Sequence, residues 1–139
     1  LTQHVQMNIA DKHRFYSEIK RVLKPGGCFI FHDVFLCGDK PPLYPVPWAE
    51  DESASAMVPE EQGRSIIEEV GLAVEQWSGR VSESVKFFER VIGRIEAKGL
   101  PPLGIHLILG DNAEEKMRNH ARNLSENRLS VVVGSAYKK

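Results

Sequence analysis

Glu18-Ile-Lys-Arg-Val-Leu-Lys-Pro-Gly-Gly-Cys-Phe-Ile-Phe-His-Asp33 decides the reading of this chain. Its first half has the spacing of a helix end. Pro25-Gly26-Gly27 stops that helix, because proline lacks an amide donor and glycine accepts the left-handed turn that closes helices. Cys28 to Leu36 follows as a near-continuous apolar and aromatic run, broken by His32 and Asp33. Such a run predicts a strand covered on both faces, as in a parallel sheet. A helix feeding a strand is half of a β-α-β unit, and in open α/β sheets ligands sit at the carboxyl ends of strands. Asp33 therefore matters for its position, near the floor of the expected pocket. Its expected role is structural, bonding loop amides after the strand. His32 alternates with Asp33 and points to the opposite face, where a satisfied core or interface histidine is expected.

Working upstream, Asp11 predicts the cap of a helix from Lys12 to Leu23, with Phe15, Ile19, Val22 and Leu23 as its apolar face. Downstream, residues 37–58 form a long irregular segment. Its prolines forbid regular structure in the first half, while Tyr44 and Trp48 argue against plain disorder. Pro59 to Val70 predicts a helix closed by Gly71. Leu72 to Val81 predicts a strand near a sheet edge, with Leu72, Val74 and Gln76 on one side and Ala73, Glu75 and Trp77 on the other. Ser84 to Lys98 predicts a helix with a stripe of Val85, Phe88, Ile92 and Ile95. Leu103 to Leu109 reads as a helical turn. Asn112 to Ser125 predicts a further helix on Ala113, Met117, Ala121 and Leu124, and Arg128 to Tyr137 a last strand. This alternation is the pattern of an α/β sheet.

Composition narrows the function classes. The 139 residues are 42% apolar and 27% charged, as in a soluble globular domain. A net charge of −1 argues against nucleic acid or an anionic membrane found by bulk electrostatics. No apolar run approaches the roughly 20 residues of a membrane span. Cys28 and Cys37 are too few for a disulfide framework, which suggests a reducing, cytoplasmic setting. The five histidines are scattered without metal-ligand spacing, so no metal site is expected. There is no Gly-x-Ser-x-Gly elbow and no Gly-x-Gly-x-x-Gly; Gly26-Gly27 precedes a strand rather than a helix and is not a phosphate cradle.

The string Glu18-Ile-Lys-Arg-Val-Leu-Lys-Pro-Gly-Gly followed by Phe29-Ile-Phe-His-Asp33 resembles the segment entering strand five of class I S-adenosylmethionine-dependent methyltransferases. The flavour is that of small-molecule enzymes related to the quinone, tocopherol and sarcosine/dimethylglycine methyltransferases. Gln3-His4-Val5 and Asn8-Ile9-Ala10-Asp11-Lys12 then resemble the segment leaving strand four, and Tyr44-Pro-Val-Pro-Trp48 the substrate-side loop after strand five. The resemblance covers the whole chain but only the second half of the family's domain. The glycine-rich motif after strand one and the acidic residue ending strand two have no counterpart. It implies a Rossmann-like sheet, C-terminal portion, from the end of strand four through seven, with the final strand antiparallel beside strand five. It also implies that 1–139 is a partial domain of a longer enzyme. The chain opens on Leu1 with residues that already read as the inside of a fold.

The implied activity is methyl transfer from S-adenosylmethionine to a small-molecule acceptor. His4 is the expected catalytic base or orienting group and, with Gln3, a donor contact. Met7, Asn8, Tyr44 and Trp48 are the expected substrate contacts, the last two as an aromatic wall that attracts a cation. Unpaired strand edges predict a homo-oligomer. The competing readings are a non-catalytic methyltransferase-like interaction module and a nucleotide-dependent oxidoreductase.

Overall fold

The computed structural model describes residues 1–139. Four strands make one sheet in the order β1 (Thr2–Gln3), β2 (Cys28–Leu36), β4 (Leu129–Lys138), β3 (Leu72–Gly79). β1 runs parallel to β2, with Thr2 opposite Phe31 and Gln3 opposite His32. β4 lies antiparallel between β2 and β3, pairing Cys28 with Tyr137 at one end and Leu36 with Leu129 at the other. The expected antiparallel final strand beside the aromatic strand is therefore present. The expectation of mainly parallel neighbours is corrected: within this chain one pair is parallel. The continuous apolar run of β2 reports cover on both faces, and an inserted antiparallel strand supplies the same environment as a parallel one.

One face carries α1 (Lys12–Val22) and α2 (Glu60–Glu69). Their side chains enclose Tyr16, Phe29, Phe31, Phe35, Ile66, Ile67, Leu72, Val132 and Ala136 in the larger core. The other face carries α3 (Val81–Lys98) and α5 (Ala113–Ser125), joined through the one-turn α4 (His106–Leu109). Met7, Val34, Leu124, Leu129 and Val131 form the second core there, with Trp48, Met57, Val85 and Phe88 packed against it. Successive residues of β2 serve opposite faces, so Phe29, Phe31 and Phe35 go to one core and Val34 to the other.

Asp11 caps α1 as expected, its Oδ1 accepting the Arg14 amide at 2.9 Å. The buried stripe is rotated from the expected one. Val22 is 66% exposed, while Lys12 and Tyr16 are buried. β3 ends at Gly79, and Val81 opens α3 rather than closing the strand. A bulge between Val74 and Gln76 breaks the expected alternation of β3. The extra residue, Glu75, shifts the register by one, so Trp77 joins Leu72 and Val74 on the core side. Gly134 is required opposite Trp77: a Cβ there would sit 2.3 Å from the Phe31 ring.

Candidate functional site

β1 delivers the chain to His4, which adopts a left-handed φ of 53°. That region disfavours residues with a Cβ, so the surroundings must fix it. They do so through main-chain groups. The His4 amide donates to the His32 carbonyl at 2.8 Å. The next two amides, of Val5 and Gln6, both donate to Asp33 Oδ1, at 2.8 and 3.2 Å. A left-handed residue followed by right-handed Val5 turns successive amides toward one point, a concavity suited to an anion. The Gln6 side chain, itself buried, donates to the Val34 carbonyl. Asp33 thus has the structural role expected of it, but its amides belong to the exit of β1 and not to the loop after β2. Burial raises its carboxyl pKa, and the two amides oppose that rise.

The same turn sets the His4 ring against His32, centroids 4.7 Å apart and planes tilted by 53°. His4 keeps a solvent-exposed side, yet loss of water on its packed flank, and then the neighbouring His32, hold its pKa below the ordinary histidine range. A third imidazole comes from α5. His120 is 4% exposed, with Trp48 and Phe88 edge-on at 5.3 and 4.8 Å, and its Nδ1 has no hydrogen-bond partner. Burial, then His4, lower its pKa to about 4. All three rings favour the neutral form near pH 7.

Lys12 is a residue the sequence reading missed. The residue is 4% exposed, and its ammonium donates to three carbonyls: Gln6 at 2.5 Å, Ala56 at 2.6 Å, and Ile9. It joins the exit of β1 to the far end of the 37–58 segment. Burial lowers its pKa to about 8, with the Asp33 charge opposing. A helical stripe taken as 12, 16, 19 and 23 would have exposed it; the apolar stripe passed over a lysine.

The 37–58 segment is tied down along α5 and the start of β4. Asn123 holds Leu43, Asn119 Nδ2 donates to the Pro45 carbonyl at 3.0 Å, and Arg128 donates to the Pro41 carbonyl at 2.6 Å. Lys116, also buried, pairs with Glu50 at 2.5 Å. The anchored segment walls an open cleft of about 690 Å³ at the carboxyl end of β2, lined by residues including Leu36, Lys40, Tyr44, Met57 and Glu60.

The expected site residues separate into three groups. Tyr44 lines the cleft. Gln3, His4 and Asn8 are exposed around the exit of β1 and line no part of that cleft. Met7 is 1% exposed and belongs to the second core, so it presents no surface to a substrate. Trp48 likewise turns inward, donating from Nε1 to Ser55 Oγ at 3.1 Å and packing on His120. The expected Tyr44–Trp48 wall is corrected: one ring faces the cleft and the other the core, because the chain between them turns through the Val46–Ala49 bridge.

No family model matches the chain. The phosphoethanolamine N-methyltransferase 2 of Haemonchus contortus, solved with phosphomonomethylethanolamine and S-adenosylhomocysteine, superposes on 98% of it with a TM-score of 0.74 at 15% identity. The fold is that of small-molecule methyltransferases. The chain covers 32% of that enzyme's length. A dimethylglycine N-methyltransferase of Parasynechococcus marenigrum (strain WH8102) is 27% identical over 90 residues, which is 65% of this chain and 32% of that protein. The methyltransferase fold is also that of the cyclase SpnF, which matches 99% of this chain and 48% of its own, with a TM-score of 0.67 at 18% identity. The chain thus spans between about a third and a half of the proteins it resembles.

Proposed function

We propose that this chain is the C-terminal portion of an S-adenosylmethionine-dependent methyltransferase acting on a small molecule. The observation that carries the reading is His4: an exposed imidazole, biased to its neutral form, held by main-chain bonds at the carboxyl end of a parallel strand in a methyltransferase fold. Ligands of open α/β sheets bind at that edge.

The methyl donor supplies an electrophilic methyl group and leaves as a neutral thioether. This chain's part is the acceptor. A neutral His4 takes the proton that an attacking amine or hydroxyl must lose. Gln3, opposite His32 in the register, presents an amide beside it. Within these residues the polar set at the exit of β1 fits one flank of a donor site and not the whole, since no glycine-rich turn is present. Asn8 is the second polar group at the exit of β1 available to an acceptor. The Tyr44 cleft is the outer flank, through which the acceptor is admitted. Its lining holds Asp39, Glu52, Glu60 and Glu61 against Lys40, a balance that suits a cationic amine. The dimethylglycine enzyme acts in the same chemical direction. The protein works in the cytoplasm, and the outer edges of β1 and β2, paired over two residues only, suit a second copy of the chain.

Calorimetry with S-adenosylmethionine on the full-length protein tests the reading, followed by transfer of labelled methyl to a panel of small amines. Donor binding and turnover are expected. His4→Gln should lower kcat by roughly a hundredfold or more. A folded full-length protein that takes up no donor would instead be a non-catalytic interaction module, the reading favoured by the inward packing of Met7 and Trp48.

A further inference from the structure

We propose that His32 is the positioning partner of His4, and that the two imidazoles act as one unit which accepts a single proton at the exit of β1. As a statement about catalysis this rests on the methyl-transfer reading above; as a statement about two rings it stands alone. Three geometric facts carry it. The His32 carbonyl holds the His4 amide at 2.8 Å, and Asp33 holds the next two amides, so the main chain that carries the His4 ring is fixed beside His32. The rings lie 4.7 Å apart, a separation at which two imidazolium charges repel. His120, buried on α5 between Trp48 and Phe88 with an unpartnered Nδ1, feels the His4 charge and offers it no counter-charge.

The ionisable groups that couple to His4 are His32 on β2 and His120 on α5. Asp33, next along β2, points to the opposite face and is occupied by the Val5 and Gln6 amides. A proton arriving on His4 meets no anion that would welcome a second one. The pair titrates in two separated steps that belong to both rings. The first proton comes from the acceptor: its N–H or O–H bond breaks, a ring nitrogen gains the hydrogen, and the acceptor keeps the electron pair for the methyl carbon.

The test is a proton-by-proton titration of the histidine side chains by NMR in the full-length protein, wild type, His32→Gln and His4→Gln. The expected result is that the His4 midpoint moves upward in His32→Gln, and the His32 midpoint moves upward in His4→Gln, since coupling is reciprocal. In the wild type the His4 resonance should show an inflection at the His32 step, a reading that needs no variant to fold. Independent single-step curves and an unmoved His4 midpoint overturn the proposal. In turnover assays, His32→Gln should shift the acid limb of the pH–rate profile to higher pH while donor affinity holds. Failure to bind donor would sink the methyl-transfer reading and leave the ring titration to decide the pair.

Discussion

Asn123 grips Leu43 by both of its main-chain groups, accepting from the amide at 2.7 Å and donating to the carbonyl at 2.9 Å. Asn123 is fully buried on α5, and Leu43 lies in the irregular segment two residues before Pro45. The side-chain amide replaces a strand partner for one residue of a loop that has none. Asn123→Ala strands a donor and an acceptor together, at a cost of about 2–3 kcal/mol of unfolding free energy, read as a lowered denaturant midpoint. Amide exchange at Leu43 should accelerate more than exchange at Val132. Equal acceleration at both sites would mean that the contact holds the fold as a whole and not the segment.

Lys12→Met keeps the length of the side chain and removes its donors. The carbonyls of Gln6, Ile9 and Ala56 then lose their partner, which outweighs the relief of a buried charge by roughly 2 kcal/mol. The pH dependence follows from the direction of the Lys12 shift. Its pKa is about 8 when folded and 10.5 when free. Between those values the unfolded chain binds more protons, so the Lys12 contribution to stability rises with pH from about 8 toward 10.5. Urea melts across that window should show the rise in the wild type and its absence in Lys12→Met.

His120 gives the opposite limb. Its folded pKa of about 4 lies below the free value of 6.5. Above 6.5 both states are neutral and the term is flat; as pH falls from 6.5 to 4 the unfolded state takes up the proton first and stability drops. The full effect approaches ~3 kcal/mol. His120→Phe keeps an aromatic ring between Trp48 and Phe88 and removes the orphaned Nδ1. That variant should be at least as stable at pH 7 and should lose less between pH 6.5 and 4 than the wild type. Parallel acid limbs in the two proteins would refute the assignment.

Gly134→Ala places a methyl group 2.3 Å from Phe31 Cζ and 2.9 Å from the Gln76 carbonyl. Neither the packed ring nor the paired strand can retreat far. Overpacking of this kind costs about 1–3 kcal/mol, visible as a lowered melting temperature. Gly93→Ala, where a Cβ meets nothing within 4 Å, serves as the control and should be neutral or stabilising.

The parts of this molecule that obey one local rule were legible in the sequence. Pro25-Gly26-Gly27 stops α1 where the chemistry of proline and glycine requires it, and Asp11 caps it. The boundaries of β2 followed from its apolar run. The rest depended on distant partners. Nothing local marks Glu75 as a bulge, since the extra residue is defined by what β4 places opposite it. Lys12, Lys116, Asn123 and His120 carry no local signal of burial and are buried because carbonyls, a carboxylate or rings from elsewhere meet them. At the site, the resemblance located His4 at the exit of β1, while the φ of 53° and the amides on Asp33 appear only in three dimensions. Tyr44 and Trp48 were proposed as one wall from their proximity in sequence, and a turn between them sends the rings to different places.

β4 is the only strand that touches both β2 and β3, and of these four strands it is the last to be translated. Between the synthesis of β2 and that of β4, a nascent chain therefore carries Phe29, Phe31 and Phe35 without the antiparallel partner on one edge of their strand. The middle of the sheet is assembled in a single late event, and stalled or prematurely terminated translation products should be the form of this chain that chaperones capture.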